Sequence, residues 1–330
     1  MTASYDVAGI GNALVDIIAP ADEAFLQREG LEKGSMTLVD EVRAETLYER
    51  MGPRVQASGG SAANTMAGLA SLGGRGAYMG KVADDELGAA FAHDIRAIGV
   101  RFESAPLPRA RAATGRCMIN VTPDGHRTMT TFLGASNLLG PDDVDPAVIA
   151  DSAAVFLEGY LFNSDTAREA FRKAARLAHA AGREVALTLS DTFVVEGHRA
   201  ELLAFLGDVD VLFANEAEVS ALFECGFDDA IEQLRTQVRA AGVTRSEKGS
   251  VAVSAGAAEA VPAEPVDHVV DTTGAGDQYA AGFLFGRTHG WSPRDCARLG
   301  HLAAGEVIAH YGPRPQTSLA ELARGAGLQT

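Results

Sequence analysis

The chain is 330 residues long, 47% hydrophobic and 22% charged, and carries a formal charge of −16 from 28 basic and 44 acidic side chains. That length suits one large α/β domain, or one domain with a smaller appendage, and the composition excludes a chiefly disordered chain. The acidic excess excludes a sequence-independent nucleic-acid binder, which needs a basic face, so a phosphorylated ligand would require a local positive site.

Tyr5–Gly11 reads as a short apolar strand that ends in glycines. Ser61–Leu72 is Ala-rich and helical, and Gly59-Gly60 precedes it. The apolar run Ala153–Leu157 predicts a buried strand, Ser164–Ala181 a helix, and Val185–Leu189 and Val209–Phe213 two more buried strands. Glu216–Phe223 and Ala230–Ala241 read as helices, Val251–Ser254 as a short strand and Gly276–Thr288 as a helix. This alternation indicates βαβ units and a mostly parallel sheet covered by helices on both faces. The stretch from about 101 to 135 differs. Ala113–Val121 and Arg127–Leu133 flank Thr122-Pro123-Asp124-Gly125-His126, a turn signal that predicts a β-hairpin. Such a hairpin is either a plain edge or a lid over a site.

Cys117, Cys225 and Cys296 are far apart and form no CxxC pair, so neither a disulfide scaffold nor a cysteine metal site is expected. The first twenty residues lack a basic segment, and no apolar run reaches the roughly 20 residues that span a bilayer. The expectation is a cytoplasmic protein without a nucleic-acid or membrane partner.

Five segments carry chemistry. In Asp271-Thr272-Thr273-Gly274-Ala275-Gly276-Asp277, glycines open an apolar helix, where free N–H groups attract anions. Asp277 in the first turn can accept a proton from a hydroxyl during phosphoryl transfer, or can simply complement the helix dipole. Gly59-Gly60-Ser61-Ala62-Ala63-Asn64 enters a helix whose first turn can bind a polar ligand or serve only as a cap. Gly9-Ile10-Gly11-Asn12 begins like a dinucleotide fingerprint, but Leu14 stands where the third glycine belongs. Asn12 and Asp16 are instead candidates for sugar hydroxyls, with a polar turn as the alternative. Asn215-Glu216-Ala217-Glu218 follows a strand, where Asn215 and Glu218 can organise a hydrated magnesium ion or cap a helix. Thr244-Arg245-Ser246-Glu247-Lys248-Gly249 is a nucleotide-edge loop or a polar turn. There is no Walker A, no HExxH and no GxSxG elbow.

Taken together and in this order, DTTGAGD at 271–277, GGSAAN at 59–64 and NEAE at 215–218 resemble the signatures of the PfkB (ribokinase-like) family of carbohydrate and nucleoside kinases, over nearly the whole chain. GNALVDI at 11–17 and LSDTF at 189–193 are most similar to the adenosine-kinase branch. The resemblance implies a three-layer α/β/α sandwich with a mostly parallel central sheet and a small β-sheet lid. It implies one kinase domain over 1–330, with the lid drawn from about 16–55 and 101–135. The implied reaction is transfer of phosphate from ATP to a ribose 5′-hydroxyl, most readily that of adenosine, with a free sugar as the alternative acceptor. Asp277 would be the base, and Gly274, Ala275 and Gly276 the anion hole. Arg127 would reach the phosphates from the lid. Asn12, Asp16, Gly59, Gly60 and Asn64 would hold the ribose, with Tyr160 against the base. Asn215, Thr244, Lys248, Gly249 and His301 would lie along ATP. Glu218 would act on Mg2+ through water, and Asp271 and Thr273 fall where some relatives hold a monovalent cation such as K+. Two departures stand out: His301 replaces a common Asn and Ser246 a common Gly. The chain is expected to be a monomer or a homodimer.

Overall fold

The computed structural model describes residues 3–254 and 256–328. Fourteen strands run along the described chain. The first eight are β1 (Tyr5–Ile10), β2 (Leu14–Pro20), β3 (Met36–Leu38), β4 (Val55–Gly59), β5 (Gly76–Met79), β6 (Arg101–Phe102), β7 (Gly115–Val121) and β8 (Arg127–Phe132). The rest are β9 (Ser152–Glu158), β10 (Glu184–Thr188), β11 (Val211–Asn215), β12 (Ala240–Thr244), β13 (Ser250–Ser254) and β14 (Ala257–Val261). Nine form one sheet in the order β14-β13-β12-β11-β10-β9-β1-β5-β6. It is parallel from β12 through to β6, and β13 pairs antiparallel with both β12 and β14. The other five form a smaller sheet, β3-β8-β7-β2-β4.

The large sheet is buried on both faces, so its strands read as continuous apolar runs. Successive residues serve opposite faces. In β9, Val155 and Leu157 join one core and Phe156 the other; in β11, Leu212 and Ala214 oppose Val211 and Phe213. One core lies beneath the helices Asp165–Ala180, Thr192–Phe205, Glu216–Phe223 and Phe227–Gln237. The second lies beneath Ser61–Ser71, Glu86–Ala97, Ala275–Thr288 and Pro293–Ile308 and continues into the smaller sheet. The outer helices form for local reasons. In Asp165–Ala180, the Ser164 side chain caps the start, and Ala167, Ala170, Phe171, Ala174, Ala175 and Ala178 make one buried stripe at helical spacing.

The three-layer architecture and the 122–126 turn match the sequence expectation. Two boundaries differ. The segment expected as one helix over Ala230–Ala241 ends at Gln237, and Ala240–Thr244 becomes β12. Alanine is the best helix former, but propensity is a weak determinant, and pairing with β11 on one side and β13 on the other overrides it. Arg101–Phe102 pairs with β5 and belongs to the large sheet, so the smaller sheet takes up that stretch only from Gly115.

Candidate active site

The helices Ser61–Ser71 and Ala275–Thr288 lie side by side with their N-termini at the carboxyl end of the large sheet. Ligands of open α/β sheets gather there. The approach is close because Gly68 faces the second helix: a Cβ on Gly68 would meet Gln278 Oε1 at 2.1 Å and Ala281 Cβ at 2.7 Å. Gln278 fastens the pair, its amide donating to Asn64 O (3.0 Å) and Pro313 O (2.9 Å).

Asp277 sits in the first turn of its helix, behind Gly274 at the N-cap and Ala275 and Gly276. Ser61 Oγ donates to one carboxylate oxygen at 2.6 Å and Asn64 Nδ2 to the other at 3.1 Å. Burial raises the Asp277 pKa to about 6, although those bonds and the Arg314 charge pull it down. The Ala275 N–H is turned back onto Thr272 O (3.2 Å), so the helix-start N–H groups that remain for an anion are those of Gly276 and Asp277.

Asp16 faces the same space from β2 and is 7% exposed. Burial holds its pKa at about 6 against the opposing pull of Arg314 and Arg127. Gly59 crosses it on β4, where a Cβ would lie 2.3 Å from the Asp16 carboxyl carbon. Gly60 has φ +96° and a Cβ there would fall 2.0 Å from Asn12 O, so the turn into the helix demands glycine twice over. Asn12, Asp16, Gly59, Gly60, Asn64 and Asp277 are thus brought together in one place.

Two residues escaped the sequence reading. Glu158, at the carboxyl end of β9, is 1% exposed. It accepts from Asn12 Nδ2 at 2.6 Å and from the Ala62 N–H at 2.8 Å, and burial raises its pKa to about 7. A lone acid closing an apolar strand was the signal for it. Arg314 follows the last long helix in Gly312-Pro313-Arg314-Pro315, which signals only a turn. It donates to Ser58 Oγ at 2.6 Å and to Asn64 Oδ1 at 3.3 Å.

The remaining candidates fall around this centre with different partners. Arg127 on β8 is ion-paired with Asp271, both side chains less than a tenth exposed. Asp271 also accepts from the Thr273 N–H (3.1 Å) and the Gly312 N–H (3.0 Å). Arg127 and the two N–H groups therefore surround its carboxylate, and the pair in this arrangement does not fit a monovalent cation. Asn215 and Glu218 bond reciprocally in a capping box, the Asn215 N–H donating to Glu218 Oε2 at 3.0 Å and the Glu218 N–H to Asn215 Oδ1 at 2.8 Å, and Asn215 Nδ2 adds a bond to Glu218 Oε1 at 2.7 Å. Burial raises Glu218 to about 7. Thr244 closes β12; Lys248 is 58% exposed and 3.9 Å from Glu216, and Gly249 turns the chain into β13. Tyr160 packs its ring 5.9 Å from that of Phe193, which is partly exposed.

His301, expected along ATP, is buried. It is 7% exposed, its Nε2 is 2.9 Å from Ser250 Oγ, and that hydroxyl accepts from Tyr279 at 2.9 Å. Burial lowers its pKa to about 4, so the ring is a neutral core group at neutral pH. Ser246 holds φ +52°, the left-handed conformation that a glycine there would adopt without strain.

A family model described as pfkB family carbohydrate kinase matches residues 35–319. Adenosine kinase from Sinorhizobium meliloti is 55% identical, with a TM-score of 0.92 over 98% of this chain and 100% of that one. A probable sugar kinase protein from Rhizobium etli is 47% identical, with a TM-score of 0.93 over 99% of each chain. Adenosine kinase of Saccharomyces cerevisiae is 27% identical over 327 residues, 92% of this chain and 95% of that protein.

Proposed function

The chain belongs to the pfkB family of carbohydrate kinases, and on that premise we propose that it transfers the γ-phosphoryl group of ATP to the 5′-hydroxyl of adenosine, giving AMP and ADP. The observation that carries the reading is the Asp277 carboxylate, fixed by Ser61 and Asn64 at a helix N-terminus that can take the transferring phosphoryl group. Asp277 accepts the hydroxyl proton as the ribose oxygen attacks phosphorus and the bond to the ADP oxygen breaks. The N–H groups of Gly276 and Asp277 neutralise the charge on the phosphoryl oxygens. Asp16, Asn64 and Gly60 receive the ribose, with Asn12 held ready by Glu158. The nucleotide lies along Thr244, Lys248 and Gly249.

Magnesium fits here as an ion that arrives on the nucleotide. Among the described residues no group of three or more His, Cys, Asp or Glu could hold a metal directly. Asn215 and Glu218 offer oxygen donors suited to its water shell. When bound, magnesium would neutralise phosphate charge. Before closure Asp271 is held by Arg127, so a monovalent cation such as potassium would reach it only once Arg127 leaves.

The smaller sheet is read as a lid. Its Arg127 reaches a phosphate by exchanging Asp271 for it, and closure excludes water from the transfer. Adenosine is favoured by the 55% identity to the Sinorhizobium meliloti kinase and by the Tyr160–Phe193 aromatic wall, on which a base can stack. A free-sugar acceptor is the second reading, favoured by the 47% identity to the Rhizobium etli protein. No described helix is long and apolar enough to cross a membrane, which suits an enzyme acting on soluble nucleotides.

The test is ADP formation by the purified protein with Mg-ATP against adenosine, other nucleosides, ribose and fructose. Adenosine-dependent AMP at the highest kcat/KM is expected. Turnover confined to a free sugar would overturn the adenosine reading and keep the base.

A further inference from the structure

Arg314 ties the main body to the smaller sheet directly at the Asp277 site. It lies beyond the helix Pro293–Ile308 in the main body, yet its Nη1 donates to Ser58 Oγ on β4, in the smaller sheet. Its Nε donates to Asn64 Oδ1 at 3.3 Å, and the other end of the same amide donates to Asp277 Oδ2 at 3.1 Å. Its Nη2 is buried with no hydrogen-bond partner. A purely structural arginine is normally satisfied, and an unspent buried donor beside two carboxylates is the mark of a functional setting.

An asparagine amide has a donor end and an acceptor end, and its neighbours decide which way it points. Resting on the kinase reading above, we propose that Arg314 is a positioning residue for phosphoryl transfer, holding the Asn64 amide in the orientation that turns its NH2 towards Asp277 while tying that amide to Ser58 of the smaller sheet. Without the guanidinium the amide is free to flip. A flipped amide sets Oδ1 against the Asp277 carboxylate, acceptor against acceptor, and that contact is relieved only when Asp277 is protonated. A protonated Asp277 cannot take the hydroxyl proton. The charge of Arg314 acts in the same sense, since it lowers the pKa of both Asp277 and Asp16. The other charged groups coupled to Asp277 are Asp16 from the smaller sheet and Glu158 from β9, and both acids work against ionisation. Arg314 is therefore the cation that both orients the amide and keeps the base charged.

The experiment compares the wild type with Arg314→Gln and Arg314→Lys on whichever acceptor the wild type uses. Kcat and KM are followed across pH, and folding is checked by Tm. Arg314→Gln is expected to lower kcat by about tenfold to a hundredfold, the scale of a misplaced catalytic group, and to move the acid limb of kcat to higher pH. Arg314→Lys keeps the charge without the two-armed geometry, so it should hold the acid limb near the wild-type position while kcat stays depressed. A folded Arg314→Gln with unchanged kcat and acid limb overturns the proposal. So does an Arg314→Lys variant that behaves like the wild type in both. A third arm needs no turnover: 13C NMR titration of the Asp277 carboxyl in the wild type and in Arg314→Gln. An upward shift of its midpoint in the variant supports the role, and an unchanged midpoint removes it. If the wild type phosphorylates nothing, the kinase reading falls, and the NMR arm still decides the coupling of Arg314 to Asp277.

Discussion

At the scale of single residues, the proposed mechanism rests on Asp277, whose surroundings would set the pH at which it works. A base must be unprotonated, and burial holds this one at about 6. Kcat is therefore expected to rise with pH through about 6 and level off above it, measured as initial rates of ADP formation with saturating substrates. Asp277→Asn keeps the shape and loses the basicity. It should lower kcat at least about a hundredfold, while acceptor binding measured by calorimetry persists; wild-type turnover in this variant would remove Asp277 from the mechanism. Asp277 was legible in the sequence only in combination: a glycine-flanked acid at a helix start can merely complement the dipole, and its order with the 59–64 and 215–218 segments singled it out. Glu158 and Arg314 were less so. Each is a lone charged residue whose meaning depends on neighbours about 96 and 250 positions away in the chain.

At the scale of elements, the site depends on how closely two helices approach. Ser61 and Asn64 belong to one and Asp277 to the other, so their hydrogen bonds measure the separation directly. Gly68→Ala puts a methyl group against Ala281 and forces the helices apart. Overpacking of this kind costs about 1–3 kcal/mol. The variant should therefore unfold at lower denaturant and lose kcat together, whereas a change in stability alone would show that Asp277 tolerates the shift. Most helices and strands were readable from hydrophobic period and glycine punctuation. The miss at β12 has a physical cause: Ala240, Ala241 and Gly242 carry almost no strand signal, and their pairing is decided by β11 and β13 on either side. His301 illustrates the same limit at a site. Its position in the sequence pointed to a ligand, and its burial against Ser250 and Tyr279 is a matter of packing.

At the scale of the whole molecule, four acids are held with raised pKa values: Asp16 and Asp277 at about 6, Glu158 and Glu218 at about 7. Each binds its proton more tightly folded than unfolded. The stability they contribute is complete below about pH 4, the unfolded range, and is lost as pH rises through 6 to 7. The Tm of the ligand-free protein should accordingly fall between about pH 5 and pH 8. Asp124 carries a lowered pKa and is already ionised throughout that window, so it does not mask the trend; His301, lowered to about 4, works in the opposite sense up to about pH 6.5, but as one group against four. Glu158→Gln removes one of the four groups, and scanning calorimetry should record a flatter slope whatever the variant does to absolute stability. A Tm that climbs steadily over the same range would contradict the buried-acid account.

The smaller sheet is assembled from two separate stretches of chain. Its β2, β3 and β4 come before β5 and β6 of the large sheet, and its β7 and β8 come after them. The two stretches are stitched by parallel pairing of β2 with β7 and of β3 with β8, so β3 has no strand partner within its own stretch. Neither half is a module that can be transplanted or deleted alone. A descendant of this chain that shed its cover in a single deletion would be left with a bare strand edge from the other half, open to pairing with other copies. Two coordinated losses are needed to reach a clean, uncovered form, which makes the cover hard to discard once acquired.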